Sequence, residues 1–248
     1  MRILVLVLGA RVAPYPLLMR VIERTWASVD VAETEVLFYR GGSATRLRGR
    51  HLELPVGDDL PNVGRKTLAC FDHVLEHRRF DVVFRTNCSS YVDLPNLRRF
   101  ADATGRVDAY YAGSVAMHEG SPFASGSGYF LSRDLVQRVV SARSEWNHAV
   151  LDDVALGAQL ARFGVSPEPL PRRDYRHLGE VVDVDTTQFH FRCRTDSWRR
   201  LEDARIMIAL HRAFCDARGV PAPAELRALG AAERLARSAL SQARRRRR

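Results

Sequence analysis

The sequence has few cysteines, a single lysine and no long apolar run. The four cysteines lack the spacing of a zinc site and are too sparse for a disulfide scaffold, so we expect free thiols. No apolar stretch approaches the ~18 residues that a membrane span requires. The apolar segment 3–8 is short and is not followed by a small-residue cleavage site, which favours a buried strand over a signal peptide. Together these absences predict a cytoplasmic protein.

Positive charge is concentrated at the C-terminal end. The formal net charge is +9, and residues 224–248 hold eight arginines against two glutamates, which leaves +3 for residues 1–223. We predict one α/β domain over residues 1–221 and a basic amphipathic or disordered tail over 222–248. The tail could contact anionic lipid at the inner face of a membrane, bind nucleic acid nonspecifically, or be an incidental end. Nucleic acid is disfavoured, since a groove for it would require a basic face on the domain itself.

Strand-like apolar runs alternate with segments of helical periodicity. The predicted strands include Arg2–Leu8, Glu35–Tyr39, Asp81–Arg85 and Thr187–Arg194, and the predicted helices include Pro16–Val29, Arg65–His77, Arg133–Ser141, Asp152–Phe163 and a last one from Ser197 to about Asp216. This alternation predicts a mostly parallel central sheet with helices on both faces. Ser132 is a plausible N-cap for the helix that follows it.

A polar turn follows the apolar run Val82-Val83-Phe84. The turn contains Asn87, Cys88 and Ser89. Open α/β sheets bind their ligands at the carboxyl ends of buried parallel strands, so the position favours contact with a ribose or a phosphate. The alternative is an ordinary turn of small polar residues.

Two adjacent carboxylates, Asp152 and Asp153, stand at a predicted helix start. One of them can cap backbone N–H groups, which is the usual role of aspartate there. The second carboxylate is not needed for capping and could act as a general base, with a pKa that depends on its neighbour and on its burial.

Period-two alternation over residues 188–194 places His190, Arg192 and Arg194 on one face of a strand. Guanidinium groups offer planar, charged donors that suit a diphosphate. A solvated strand face is the alternative, and a lone histidine is more often structural than a ligand. The nearby Gly126-Ser-Gly128 segment is predicted to be a loop whose glycines permit close approach to a ligand.

In their order and spacing, these motifs resemble the fringe-like and β-1,3-galactosyltransferase-type group of GT-A glycosyltransferases. The resemblance covers roughly residues 1–215 and is carried by these segments: Arg24-Thr25-Trp26, Lys66-Thr67, Phe80-Asp81 through Tyr91-Val92, Tyr111-Ala-Gly113, Pro122 through Ser132, Asp152-Asp153-Val154 with Gly157, and His190. It implies a nucleotide-sugar-binding α/β fold with an acceptor-binding half.

The resemblance also implies a reaction, namely transfer of a sugar from a nucleotide donor to a hydroxyl with inversion at the anomeric carbon. The donor of such enzymes is by default a UDP-sugar, and the acceptor would be a glycan or a lipid-linked glycan in a bacterial style of pathway. Asp153 matches the catalytic base of the acidic-acidic-Val motif, and Asp152 is the fallback. The implied donor-binding residues are Asn87, Ser89, Arg85, Lys66, Arg192, Gly126 and Gly128.

One departure from the family pattern concerns the metal. The family normally places aspartates after the central strand, the last of which holds Mn²⁺ or Mg²⁺ against the donor diphosphate, whereas this sequence has Asn87-Cys88-Ser89. An amide and a hydroxyl are poor ligands for such a cation. Arg192 and Arg85, with Lys66, are therefore predicted to take over its role, and His190 is the remaining candidate metal ligand. The alternative is a non-catalytic member of the fold that binds sugar nucleotides or glycans.

Overall fold

The structure is a computed structural model that describes residues 1–196 and 200–223. None of the helices in this part of the chain is long and apolar enough to cross a membrane. The predicted basic tail lies outside the described residues from position 224 onward.

A large mixed sheet forms the centre of the molecule. Its strands are β1 (Ile3–Leu8), β2 (Thr34–Gly41), β3 (Arg46–Arg48), β4 (His51–Leu54), β5 (Val82–Asn87), β7 (Tyr111–His118), β8 (Ser121–Ser132) and β9 (Glu168–Pro169), in the spatial order β3-β4-β2-β1-β5-β8-β7-β9. Pairing is parallel from β4 through β2 and β1 to β5 and between β7 and β9, while β3 and β8 run antiparallel to their neighbours. The predicted mostly parallel α/β sheet is therefore confirmed, with two reversed strands.

A second, three-stranded sheet packs beside the large one. It consists of β6 (Ser90–Val92), β10 (Arg173–Tyr175) and β11 (His190–Cys193), with β11 in the middle. Only two residues separate the end of β5 from the start of β6, so the polar turn between these strands joins the two sheets.

Helices cover both faces of the large sheet, as the alternation predicted. They are α1 (Tyr15–Arg24), α2 (Val63–His77), α3 (Leu94–Thr104), α4 (Arg133–Ser141), α5 (Asp152–Arg162) and α6 (Leu201–Ala217). Alternate residues of β1 enter two separate cores: Val5 and Val7 pack with α1, α3 and α6, while Leu4 and Leu6 pack with α2, α4 and α5. Burial on both faces explains why β1 is an unbroken apolar run.

Several predicted elements differ from the structure. The glycine-rich segment predicted as a loop is part of the continuous strand β8, because Gly128 pairs with Thr86 of β5. Ser132 does not cap α4 with its side chain, because its Oγ accepts the Tyr110 N–H at 2.9 Å. The last helix begins at Leu201, and Ser197 lies outside the described residues. The bounds of α4 agree with the prediction.

Candidate active site

The carboxyl ends of β1 and β5 form the point at which the sheet order reverses. From β1 the chain proceeds to β2 on one side and reaches β5 on the other, which is where open α/β sheets bind ligands. Asn87 ends β5 beside Leu8 at the end of β1. The polar turn predicted from sequence thus lies at this edge.

Hydrogen bonds within the turn occupy its side chains. Asn87 Oδ1 accepts both the Ser89 N–H at 3.0 Å and the Ser89 hydroxyl at 2.5 Å. The buried Cys88 thiol donates to the Leu8 carbonyl at 3.1 Å, and burial raises its pKa to about 12. Asn87 is half-buried and keeps its amide NH₂ for a ligand, whereas Cys88 remains a neutral thiol.

These residues do not fit a divalent cation. The one carbonyl oxygen of Asn87 is engaged by Ser89, and the Cys88 thiol keeps its proton at neutral pH. No group of three or more His, Cys, Asp or Glu side chains in the described part of the chain is arranged to hold a metal. A hard divalent ion requires several oxygen ligands, so the turn cannot supply its site.

Asp152 belongs to a buried network around Arg85. The Arg85 guanidinium donates to Asp152 Oδ2 at 2.5 Å, to the Tyr39 hydroxyl at 3.1 Å and to the Gly126 carbonyl. Thr67 donates a further bond to the same Asp152 oxygen at 2.9 Å. Both partners of the ion pair are almost inaccessible, so the prediction that Arg85 contacts the donor diphosphate does not fit, and Asp152 is poorly placed to receive a proton.

Asp153 differs from its neighbour in being half-buried. Its Oδ2 accepts the Gly126 N–H at 2.7 Å and its Oδ1 accepts the Val154 N–H at 3.0 Å. Burial, and then the negative charge of Asp152, raise its pKa above that of an ordinary aspartate. A carboxylate with a raised pKa, fixed in orientation and partly open to solvent, has the properties of a general base.

The glycines of β8 are required by close packing. A Cβ on Gly126 would lie 2.5 Å from the Arg85 guanidinium, and a Cβ on Gly128 would lie 2.5 Å from His190 Nε2. Gly126 therefore lets one strand contact both Arg85 and Asp153. The close approach at these glycines is made by protein side chains, and the predicted approach of a ligand stays a prediction.

The carbonyl of Ser127 is a junction between the two sheets. It accepts the Thr86 hydroxyl from β5, the Ser90 hydroxyl from β6 at 2.7 Å, and His190 Nε2 from β11 at 3.0 Å. Burial, and then the charge of Arg172, lower the pKa of His190 to about 3, so its ring is neutral and Nε2 is the donor. His190 therefore has a structural partner in place of the metal that was predicted for it.

Arg192 lies on the same face of β11 as His190, as the alternation predicted. It lines a small cleft of about 140 Å³ together with Asp174, Tyr175, Arg176, Arg194 and Asp196. Arg172, which sequence reasoning missed, donates to Ser127 Oγ at 2.6 Å and holds Asp174 through two hydrogen bonds. Its sequence context of prolines and arginines gave no signal, because the contact depends on the pairing of β10 with β11.

Lys66 is buried and paired away from the polar turn. Its Nζ contacts Asp58 Oδ1 at 3.2 Å, and Asp58 also accepts the backbone N–H groups of Arg11 and Gly41. The lysine thus secures the loops after β1 and β2. The Lys66 side chain is only 2% accessible, so its amino group is not exposed for the predicted contact with the nucleotide-sugar donor.

Residues 126–127 of β8 contact two of the predicted clusters directly, and they contact the third through Ser90 of the strand that continues from the polar turn. Gly126 holds Asp153, Ser127 joins His190 and Arg172, and β6, which continues from the polar turn, pairs with β11 so that Ser90 lies opposite Arg192. Residues from far apart in the sequence therefore form one continuous contact network.

Residues 106–171 match the model of the family described as Galactosyltransferase. The matched segment runs from β7 through β8, α4 and α5 to β9 and includes Gly126, Asp152 and Asp153, whereas Asn87 and Arg192 lie outside it. The match confirms, over the residues it covers, the resemblance to glycosyltransferases predicted from the motifs. No curated protein matches the chain by sequence.

Two solved structures are similar at low identity. A mannosyltransferase from Pyrobaculum calidifontis, in complex with GDP-Man and Mn²⁺, is 15% identical with a TM-score of 0.47, over 68% of this chain and 55% of its own. The galactosyltransferase LgtC, in complex with donor and acceptor sugar analogues, is 13% identical with a TM-score of 0.45, over 92% of this chain and 99% of its own. The chain spans about half the length of the mannosyltransferase. These scores are too low to carry over any residue or ligand.

Proposed function

We propose that this chain transfers a sugar from a nucleotide-sugar donor to a hydroxyl of a glycan or lipid-linked acceptor, because residues 106–171 match the family model described as Galactosyltransferase. The observation that carries the proposal is the state of Asp153 within the matched segment. Its carboxylate is fixed by the Gly126 N–H, half-buried, and raised in pKa by burial and by Asp152.

In the proposed reaction Asp153 is the general base. The acceptor hydroxyl attacks the anomeric carbon and gives its proton to Asp153, while the bond from that carbon to the donor diphosphate breaks and its electron pair remains on the diphosphate. Attack from the side opposite the leaving group inverts the configuration, as the resemblance implies. A UDP-sugar is the proposed donor, and its nucleotide would bind at the carboxyl ends of β1 and β5. Asn87 can offer its NH₂ to the ribose.

Asp152 supports this base without exchanging protons with the acceptor. Its bond to Arg85 fixes the guanidinium that also holds the Gly126 carbonyl, and the Gly126 N–H in turn holds Asp153. Charged hydrogen bonds in a buried site keep such an arrangement fixed before the substrate binds.

The test combines a panel of nucleotide sugars with the variant Asp153→Asn. We expect one or more donors to raise the melting temperature and to support transfer, and the variant to lose about 10²- to 10⁴-fold in kcat while keeping donor affinity. Asp134→Asn is the matched control, because Asp134 also lies in the first turn of a helix and accepts a backbone N–H, that of Ala109.

Stability provides an independent control for the variant. When folding raises the pKa of a carboxyl group, the protonated group stabilises the folded state. This contribution is complete below the pKa of the unfolded state and is lost as the pH rises through the pKa of the folded state. Asp153→Asn removes a charge that is unfavourable at pH 7 but also loses the acceptor of one of the two backbone N–H groups, so its melting temperature should stay close to that of the wild type. Donor binding without turnover by the wild type, across the panel, would instead identify a non-catalytic binding protein.

The cytoplasmic location and the membrane contact through the arginine-rich tail are also proposals. The tail proposal rests on the five terminal arginines. Co-sedimentation with vesicles containing anionic lipid should be stronger for the full chain than for a chain truncated after Pro223. Equal partitioning of the two would exclude the membrane role.

A further inference from the structure

A strongly basic cleft lies on the small sheet beside the polar turn. Three arginines line it, against two aspartates: Arg176, Arg192 and Arg194 with Asp174 and Asp196. A fourth arginine, Arg172, adjoins the cleft through its hydrogen bonds to Asp174. Its volume of about 140 Å³ is suited to a compact anion. A confined site with excess positive charge favours the binding of an anion.

Arg192 has a side-chain donor that no group in the described part of the chain accepts. Within the described residues its buried Nε–H has no hydrogen-bond partner, and its nearest carboxylate oxygen, on Asp174, is 4.0 Å from NH1. Burial, and then the charge of Arg172, lower the pKa of Arg192. The Arg192 side chain is 28% accessible, but its buried Nε–H without an acceptor is costly, and an anion that accepted this hydrogen bond would remove that cost.

Arg172 is a fixed second cation. Its Nε and NH2 donate to the two carboxylate oxygens of Asp174, at 2.6 and 3.0 Å, and its NH1 donates to Ser127 Oγ at 2.6 Å. A guanidinium carries five N–H groups, so two remain for a ligand. The side chain is 12% accessible, which leaves a narrow approach to them.

The location of these arginines connects them to both parts of the candidate active site. Arg192 lies opposite Ser90 in the β6–β11 pair, and the adjacent Cys193 N–H donates to the Ser89 carbonyl of the polar turn at 2.6 Å. Arg172 contacts Ser127, whose neighbour Gly126 holds Asp153. Hydrogen bonds and strand pairing therefore connect the arginines both to the polar turn and to the strand that holds the proposed base.

We propose that Arg192 and Arg172 bind the diphosphate of the nucleotide donor and stabilise it as the leaving group, in place of the divalent cation that the polar turn cannot hold. The inference rests on the proposed transfer reaction. When the bond from the anomeric carbon to the diphosphate oxygen breaks, the electron pair stays on that oxygen, and the two guanidinium groups offset the added negative charge. Arginine forks suit this task because they donate in pairs to phosphate oxygens.

The experiment measures binding of UDP and of inorganic pyrophosphate by calorimetry, in EDTA and in Mn²⁺, to the wild-type protein and to three variants. We expect binding of both ligands to persist in EDTA, and Arg192→Gln to weaken it about 10- to 100-fold through loss of charged hydrogen bonds. Arg192→Lys, which keeps the charge, should recover part of the affinity. Arg20→Gln, at an exposed arginine of α1, is the control and should bind as the wild type does.

The outcomes separate this inference from the proposed function. Binding or sugar transfer that is abolished by EDTA and restored by Mn²⁺, with Arg192→Gln equal to the wild type, would overturn the arginine site while leaving a glycosyltransferase. Pyrophosphate binding that depends on Arg192, in a protein that turns over no nucleotide sugar, would uphold the anion site and reject the transfer reaction. Equal melting temperatures of the variants would exclude a folding defect as the cause.

Discussion

Replacing Asp152 by asparagine should destabilise the protein severely, although the two side chains have almost the same shape. The substitution removes the only carboxylate that contacts the Arg85 guanidinium within the described residues. The side chains of Arg85 and Asp152 are only 2% and 7% accessible, so solvent cannot replace the lost charge. Breaking a buried ion pair at one partner costs about 3–5 kcal/mol.

The expected size of the effect can be stated as a melting temperature. In a domain of this size 1 kcal/mol corresponds to roughly 2–4 °C, so Asp152→Asn should lower the melting temperature by roughly 6–20 °C. The lower end is favoured if the amide oxygen still accepts from Thr67 and Arg85. Thermal unfolding followed by circular dichroism measures this directly.

The control is Asp102→Asn, which breaks the exposed pair of Asp102 with Arg98 at 2.6 Å. Exposed pairs contribute about 0–1 kcal/mol, so this variant should melt close to the wild type. The double variant Arg85→Met with Asp152→Asn should lose less than the sum of the two single variants, since it leaves no buried charge unpaired. A melting temperature for Asp152→Asn equal to that of Asp102→Asn would refute the assignment of this ion pair to the core.

Two further predictions concern the pH profile and the glycine strand. The pKa of Asp153 is raised and its carboxylate is the proposed active form, so kcat/KM should fall with decreasing pH at a pH above ~3.9, the pKa of a free aspartate. A pH profile in which kcat/KM falls only around ~3.9 would contradict the assignment of Asp153 as the base. Gly128→Ala would place a Cβ 2.5 Å from His190 Nε2 and 2.7 Å from Phe84, so it should cost about 1–3 kcal/mol in urea unfolding. Gly179→Ala is the control, because Gly179 has open space around it and no left-handed φ, so it should unfold close to the wild type.

Local sequence patterns were sufficient to predict much of the fold. The run Val82-Val83-Phe84 is apolar because both faces of β5 are buried, and the alternation in β11 was visible because His190 and Arg192 share one face. The α4 bounds were predictable from the periodicity of a short amphipathic helix. These features depend on residues close together in the chain.

The site was harder to predict, because its contacts join residues far apart in the sequence. Arg85 was predicted to face a ligand, yet its strand neighbours give no hint of Asp152, 67 positions later, or of Tyr39. Arg172 was missed because only the pairing of β10 with β11 brings it to Ser127. The sequence shows two adjacent carboxylates at a predicted helix start. Only the structure shows that Asp152 is buried against Arg85 whereas Asp153 is half-buried.

The three donors on the Ser127 carbonyl have a consequence for how this chain can change over evolution. A carbonyl oxygen has two lone pairs, so losing the hydroxyl of either Thr86 or Ser90 would still leave it two donors. The junction between the sheets therefore has one donor in reserve, and it can lose the hydroxyl at one of these two positions, but not at both, and still keep two donors. Within the described residues, the Oδ2 oxygen of Asp153 accepts only the Gly126 N–H, so the neighbouring position has no second donor in reserve.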